Sequence, residues 1–169
     1  MVVAGNETTT KLLGHAWWWS GRYPEERAKV LAEPTRARLE AWVEETLRFD
    51  TSSQLLARIT LEDVELHGQV IPAGERVLLL AGSANRDPDV FLDPDRYDLD
   101  REVGPDLASF GFGRHFCMGA SLARMESRVA LEQIVERVQG WEVDPDRAAR
   151  VHSVNVRGFA TLPSTVELR

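Results

Sequence analysis

The sequence contains little cysteine, little histidine and no long apolar run. Its single cysteine, Cys117, excludes a disulfide within the chain, and its four histidines are scattered, so we do not expect a structural zinc site. No apolar run approaches the roughly 20 residues that a membrane-spanning helix needs. The N-terminus also lacks the basic region and the apolar core of a signal peptide. These absences predict a cytoplasmic chain with no membrane partner.

Positive charge is scarce as well. The 20 basic residues are outnumbered by 27 acidic ones, and the formal net charge of −7 argues against nucleic acid as a partner. Hydrophobic residues make up 43% of the chain and charged residues 28%, which is typical of a soluble globular protein. A length of 169 residues is enough for one domain that buries most of its apolar surface.

The periodicity of apolar residues predicts an α+β fold that is mainly α with small β-sheets. Predicted helices cover 1–19, 24–31, 36–49 and 117–138, and short strands are predicted within 55–80 and 141–169. Residues 87–109 carry repeated Asp-Pro steps and little periodicity, which predicts a long loop held by specific contacts. The first helix begins at Met1 with no cap residue ahead of it, which is typical of a chain cut within a longer helix.

Two of these helices carry unusual apolar patterns. Three adjacent tryptophans, Trp17, Trp18 and Trp19, cannot share one helix face, so at least one must contact another element or solvent. The helix after the cysteine has an apolar side. Its members are Leu122, Met125, Val129, Ile134 and Val138.

The most informative segment is 110–119, FGFGRHFCMG, which surrounds Cys117 with glycines and phenylalanines. Glycines let a backbone come close to a flat surface. The start of the following helix points N–H donors towards the sulfur and favours its thiolate form. The pattern is typical of an axial ligand to a large flat cofactor. The alternative is an ordinary buried cysteine that packs as a small hydrophobe.

This segment resembles, at every position, the haem-binding signature FxxGxxxCxG of the cytochrome P450 monooxygenases. The resemblance extends over the whole chain. It implies that 1–169 is the C-terminal region of the P450 fold: the end of the distal helix, the ExxR helix, a meander loop, the cysteine-ligand loop with its following helix, and terminal strands. The N-terminal part of the fold would be missing.

The resemblance also implies a cofactor, heme b (iron protoporphyrin IX), with the Cys117 thiolate as axial ligand and the protein's one metal ligand. Further residues match cofactor-binding positions of the family. They are Phe110, Gly113, His115, Gly119, Arg58, Ala4 and Gly5. Arg58 and His115 are the candidates for the haem propionates, because charge-assisted hydrogen bonds to carboxylates are strong.

Residues 4–9, AGNETT, match the family's distal-helix pattern (A/G)Gx(D/E)T(T/S). Small residues beside the haem leave room for dioxygen. The resemblance implies catalytic roles for Thr8 and Glu7, a hydroxyl and an acid that can deliver protons at the oxygen-binding face. The alternative is an ordinary capping or solvent-facing pair.

Glu45 and Arg48 form the ExxR pattern, and their i, i+3 spacing places both side chains on one helix face. Alone, such a pair is usually a solvated surface pair of small value. Arg96, in the segment PDRY, resembles the arginine that completes a buried Glu-Arg-Arg triad in the family. The resemblance therefore implies a structural triad of Glu45, Arg48 and Arg96 that pins the long loop.

Substrate contacts implied by the resemblance come from the distal helix, from the segment after ExxR and from the terminal strand turn. The candidates besides the distal helix are Thr51, Gln54, Leu55, Asn155 and Val156. The segment 51–54, TSSQ, departs from the proline and apolar residues that are common there, so a polar lining is expected.

The implied function is a haem-thiolate monooxygenase that inserts one oxygen atom from O2 into a lipophilic small molecule. Its electrons would come from a ferredoxin-type or flavoprotein donor, docked on a positive patch of Arg114, Arg124 and Arg128. Family members are more than twice this long, so we expect the 169 residues alone not to turn over substrate. The alternatives are a non-catalytic or vestigial haem-binding chain and a protein-interaction module.

Overall fold

The computed structural model describes residues 2–169, with side-chain environments from Ala4 onward; Met1, where the first predicted helix begins, lies outside the described residues. Helices and strands alternate in groups along the chain. They are α1 (Val2–Arg22), α2 (Pro24–Ala32), α3 (Arg36–Phe49), β1 (Leu56–Ile59), β2 (Val64–Leu66), β3 (Gln69–Ile71), β4 (Arg76–Leu79), α4 (Ala81–Ala84), α5 (Ala120–Arg137), β5 (Val138–Val143), β6 (Ala149–Arg150), β7 (Phe159–Thr161) and β8 (Ser164–Leu168). Single 3₁₀ turns cover Ala108–Phe110 and Gly113–His115.

Helix boundaries follow local sequence signals. α2 begins at Pro24, whose fixed φ suits the first helical position. α3 is capped by Thr35, whose side chain accepts a hydrogen bond from the Arg38 backbone N–H, and the helix has the predicted bounds. α5 begins three residues later than predicted, because a turn in which Ala120 N donates to Cys117 O (3.2 Å) precedes it.

The strands form four separate antiparallel pairs, β1–β4, β2–β3, β5–β8 and β6–β7. In the first pair Leu56 lies opposite Leu79 and Ile59 lies opposite Arg76. The mainly α architecture with small sheets is confirmed. Among residues 2–169, no helix is both long enough and apolar enough to cross a membrane.

The three tryptophans of α1 contact three different partners, as their adjacency predicts. Trp17 stacks on Trp141 of β5 with ring centroids 4.3 Å apart. Trp18 lies 5.0 Å from Phe159 of β7, and Trp19 lies 4.8 Å from Phe49 at the end of α3. One short sequence therefore joins α1 to α3 and to two terminal strands.

The predicted apolar side of α5 packs only at its C-terminal end, where Ile134 is half-buried against the core and Val138, just after the helix, is buried. Leu122, Met125 and Val129 are exposed, at 43%, 53% and 43%. The buried side of α5 instead carries Leu131 and Val135, which pack with the core residues of α1 and α3. The helix is apolar on two sides, and the sequence alone does not reveal which side packs on α1 and α3.

A buried ion pair links α3 to the long loop. Glu45 and Arg48 are both fully buried, and Arg48 Nε and Nη2 donate to the two carboxylate oxygens at 2.7 and 2.8 Å. The other guanidinium bonds go to backbone carbonyls of Asn85 (2.9 Å), Pro94 (2.9 Å) and Arg96 (3.1 Å). Because these carbonyls satisfy the buried guanidinium, the loop is attached to the helix.

The prediction that the Arg96 side chain completes a triad is wrong. Among the described residues, the second guanidinium near Glu45 is that of Arg101, whose Nε lies 3.4 Å from Oε2. Arg96 is exposed and contributes its carbonyl oxygen instead. The reason is a turn in which Asp93 has a positive φ of 48° and Arg96 N donates to Asp93 O, so the carbonyl of Arg96 reaches the ion pair.

A second buried polar cluster joins α1 to the residues after α3. His15 is fully buried, and its Nδ1–H donates to the carbonyl oxygen of Asp50 at 2.6 Å. Its Nε2 accepts from Arg150 Nη1 at 3.2 Å, so both ring nitrogens are satisfied by a neutral imidazole. Burial, the largest cause, lowers the pKa of His15 to about 4, and the nearby Arg150 and Arg157 act in the same direction against Asp50.

The Glu45–Arg48 ion pair should dominate the stability of the long loop. Arg48→Ala should lower the free energy of unfolding by about 3–5 kcal/mol, because it leaves a buried carboxylate without its main partner. Urea unfolding followed by circular dichroism measures the change. Arg36→Ala, which breaks an exposed i, i+4 pair with Glu40, is the matched control and should leave the midpoint unchanged. Equal midpoints for both variants would contradict the assignment.

The neutral His15 should make stability depend on pH. The unfolded chain binds a proton at this histidine below about pH 6.5 and the folded chain only near pH 4, so stability should fall as pH drops from 6.5 to 4, by up to about 3 kcal/mol. His15→Gln should flatten this part of the profile in urea unfolding. The exposed His152→Gln should leave it intact. A wild-type slope that persists in His15→Gln would rule out this origin.

Candidate functional site

The Cys117 loop is closed by backbone hydrogen bonds at both ends. Cys117 N donates to Phe110 O at 2.9 Å, and Phe116 N donates to Gly113 O at 3.0 Å. Gly113 has a φ of +66°, in the left-handed region that favours glycine. The closed loop leaves the Cys117 side chain exposed just ahead of α5.

A cavity of about 250 Å³ lies between this loop, α1 and the residues that follow α3. Six residues proposed from the sequence line it together. They are Ala4, Thr8, Thr51, Phe110, His115 and Cys117. The fold therefore brings the cysteine loop and the distal-helix motif, more than a hundred residues apart in sequence, to one site.

Other proposed residues do not line this cavity. They are Gly5, Glu7, Gln54, Leu55, Arg58, Gly113, Gly119, Asn155 and Val156. Glu7 and Gly5 are exposed on α1. Arg58 is half-buried on β1, where Nη1 donates to the carbonyl of Ala57 at 2.9 Å.

Asn155 and Val156 support the cavity wall from behind through their backbone. Gln54 N donates to Asn155 O at 2.9 Å, and Val156 forms a β-bridge with Ser53. The Gln54 side chain donates to the carbonyl of Thr51. Leu56 lines the cavity and Leu55 does not.

Nine further residues line the cavity. They are Thr9, Leu12, Leu47, Ser52, Ser53, Leu56, Ala81, Ser109 and Ala123. Ser52 and Ser53 belong to the segment 51–54, for which the sequence predicts a polar lining. Ser109 and Ala81 come from other parts of the chain, and no motif in the sequence pointed to them.

Thr8 is held at two atoms. Its Oγ1 donates to the carbonyl of Ala4 at 2.7 Å, one turn earlier in α1. Its own carbonyl accepts a hydrogen bond from Ser52 Oγ at 2.9 Å. The hydroxyl therefore has a local partner and lies at the cavity wall.

The predicted positive patch is largely neutralised by carboxylates. Arg124 pairs with Glu44, with Nε and Nη2 at 2.5 and 3.0 Å from its two oxygens. Arg128 Nη1 pairs with Glu132 at 3.0 Å. Within the described chain Arg114 has no ionic partner. The prediction of a three-arginine patch is wrong because two of the three charges have neighbouring acids on helix surfaces.

The donor set suits a cofactor that carries its own metal. Within residues 2–169, no group of three or more His, Cys, Asp or Glu side chains is placed to hold an ion. Cys117 offers a single soft sulfur beside the imidazole of His115, with apolar Leu56 and Phe110 in the same cavity. A macrocycle that supplies the remaining metal ligands, such as haem, fits one sulfur ligand, an apolar wall and an imidazole.

Comparisons with known proteins agree with this chemistry. The family model described as Cytochrome P450 matches residues 1–168. The chain is 57% identical over 169 residues to the Mycobacterium tuberculosis protein designated cytochrome P450 123, covering all of this chain and 42% of that protein. The chain therefore spans less than half the length of this relative.

Solved structures show the same relation. A cytochrome P450 of Chondromyces apiculatus, CYP109Q5, superposes with a TM-score of 0.90 at 38% identity, over 97% of this chain and 42% of that one. P450BioI, in complex with an acyl carrier protein ligated to hexadec-9Z-enoic acid, superposes with a TM-score of 0.90 at 35% identity, over 98% and 42%. The chain thus belongs to the cytochrome P450 family and corresponds to the C-terminal portion of its fold.

Proposed function

We propose that the cavity between α1 and the Cys117 loop binds heme b, with Cys117 Sγ as the axial ligand. The observation that carries the proposal is that one cavity is lined by both Cys117 and Thr8. A cysteine binds a metal through its sulfur in the thiolate form. Phe110, Gly113 and Gly119 shape the loop under the ring, and Ala4 and Gly5 leave room above it.

His115 and Arg58 are proposed to bind the haem propionates. His115 lines the cavity, and the Arg58 guanidinium lies on β1, the strand that begins at the cavity residue Leu56. Charge-assisted hydrogen bonds to carboxylates are about twice as strong as neutral ones. Arg58 would exchange its contact with the Ala57 carbonyl for a propionate.

The whole protein is proposed to be a monooxygenase that inserts one oxygen atom from O2 into an organic substrate. When bound, the haem would supply the iron that activates dioxygen. Thr8 Oγ1, which donates to the Ala4 carbonyl in this structure, would hold a proton at the cavity wall. The exposed carboxyl group of Glu7 would take protons from water and replenish Thr8.

The substrate is proposed to be a lipophilic small molecule, because Leu12, Leu47, Leu56 and Phe110 line the cavity. P450BioI, at 35% identity, is in complex with an acyl carrier protein that carries a long-chain fatty acid, which supports a lipophilic substrate. A ferredoxin-type or flavoprotein donor is proposed to supply electrons. Thr51 and the backbone-supported segment up to Leu55, with Asn155 and Val156 behind it, would shape the substrate side.

For the 169 residues alone, non-catalytic haem binding is the second candidate. Ala4 to Glu7 and Cys117 are exposed, so these residues do not by themselves exclude water from the site. Water exclusion protects reactive intermediates during oxygen activation. We therefore propose that this portion binds haem and that coupled turnover needs further residues, such as those present in the longer relatives.

Cys117 should determine the spectrum of the loaded protein. Reduced protein with haem and carbon monoxide should show the red-shifted Soret band of thiolate ligation. Cys117→Ser should lose this band, while the neighbouring Met118→Ala, at a highly exposed position, should keep it. Retention of the band in Cys117→Ser would disprove the ligand assignment.

His115 should contribute to haem affinity without changing the ligand. His115→Ala should weaken haem binding by roughly tenfold, since it removes one charge-assisted hydrogen bond. Quenching of tryptophan fluorescence during haem titration measures the affinity. The carbon monoxide band should stay in place. Arg114→Ala is the matched control outside the cavity lining, and equal losses in both variants would argue for a general charge effect.

A further inference from the structure

The turn of α1 that precedes Thr8 has little packing to hold it. Ala4 to Glu7 are exposed and Thr8 is half-buried, whereas burial begins at Thr9. Of the described α1 residues up to Thr10, the single hydrogen bond to another element is the one from Ser52 Oγ to Thr8 O, at 2.9 Å. The next one along the helix is from Lys11 Nζ to Phe159 O at 3.2 Å, so the Ser52 bond is the first restraint of this kind on α1.

The residues after α3 make hydrogen bonds to α1 at three of its residues, Thr8, His15 and Trp19. Ser52 Oγ donates to Thr8 O, and His15 Nδ1–H donates to Asp50 O at 2.6 Å. Thr8 and His15 are seven residues apart, which corresponds to two helical turns and about 10 Å on one face. Asp50 and Ser52 are separated by one residue, Thr51. The short segment 50–52 therefore lies along this face of α1.

The segment 50–52 is itself held firmly. Asp50 Oδ1 accepts from Arg157 Nε at 2.7 Å, and Oδ2 accepts from Trp19 Nε1 at 3.0 Å. The backbone N–H of Arg157 donates to Ser52 O at 2.8 Å. Ser52 is 5% exposed, so its hydroxyl has little access to competing water. A rigid segment can impose its position on the less packed helix turn.

We propose that Ser52 is a positioning residue that fixes the Thr8 turn of α1 at the cavity wall through its hydroxyl. The significance of Thr8 for proton delivery rests on the proposed function, but the restraint on α1 does not. Loss of the bond should loosen residues 8–12 and leave the half of the helix that begins at His15 unchanged, because His15 keeps its own contact with Asp50.

Backbone hydrogen–deuterium exchange of the full chain tests the restraint. Ser52→Ala should speed exchange in 8–12 about fivefold, the effect of one typical hydrogen bond, with rates in 15–19 unchanged. Ser52→Thr keeps the hydroxyl and should restore the wild-type rates. Ser53→Ala is the matched control, because the adjacent Ser53 side chain makes no hydrogen bond to α1 within the described residues.

A spectroscopic measurement reports on Thr8 itself. In reduced, haem-loaded protein the carbon monoxide stretching band senses nearby polar groups; it should broaden in Ser52→Ala and sharpen again in Ser52→Thr. The proposal is overturned if Ser52→Ala leaves the exchange rates of 8–12 unchanged or raises exchange rates over the whole chain. It is also overturned if the exchange rates of 8–12 change while the carbon monoxide stretching band does not. If the wild-type protein takes up no haem, the proposed function is refuted. The hydrogen–deuterium exchange rates would then be the test of whether Ser52 restrains α1.

Discussion

The structure depends on one buried guanidinium. Arg48 lies without solvent contact beside Glu45, and a buried charge is tolerated only when its donors are satisfied. The loop satisfies them with carbonyls, among them that of Asn85. The Asn85 side chain in turn accepts from Ala108 N and donates to Ser109 Oγ, both at 2.8 Å, just ahead of the Phe110 carbonyl that accepts from Cys117 N. Hydrogen bonds thus connect the ion pair to the cysteine loop.

The opposite wall of the cavity is built from the same end of α3. Beyond Phe49 the chain leaves the helix, and its next residues contact α1 through Asp50 and Ser52. One helix terminus therefore sets both the cysteine loop and the Thr8 turn. The end of α3 positions both walls of the cavity. A shift of that helix end would therefore change the distance between the cysteine loop and the Thr8 turn, and the side chains that line the cavity could not compensate for it.

Contiguous motifs were the part of the site that the sequence could predict. The Cys117 loop and the end of α3 depend on residues a few positions apart, where glycine conformation, capping and i, i+3 spacing act. The second arginine of the triad was predicted incorrectly, because Arg96 and Arg101 both lie in the loop and only the turn at Asp93 decides which side chain reaches Glu45. Which of two loop residues makes a long-range contact cannot be predicted from the periodicity of the sequence.

Long-range contacts also decide which side of α5 packs and which group the polar residue Ser52 binds at the cavity wall. Leu122 and Met125 satisfy helical periodicity, yet the side of α5 that packs is chosen by α1 and α3, so periodicity predicts the helix and not its orientation. In the segment after α3, Ser52 gives its hydroxyl to the main chain of α1. A polar residue at a cavity wall therefore need not select a polar substrate, because its hydrogen bond can already be used to hold the fold.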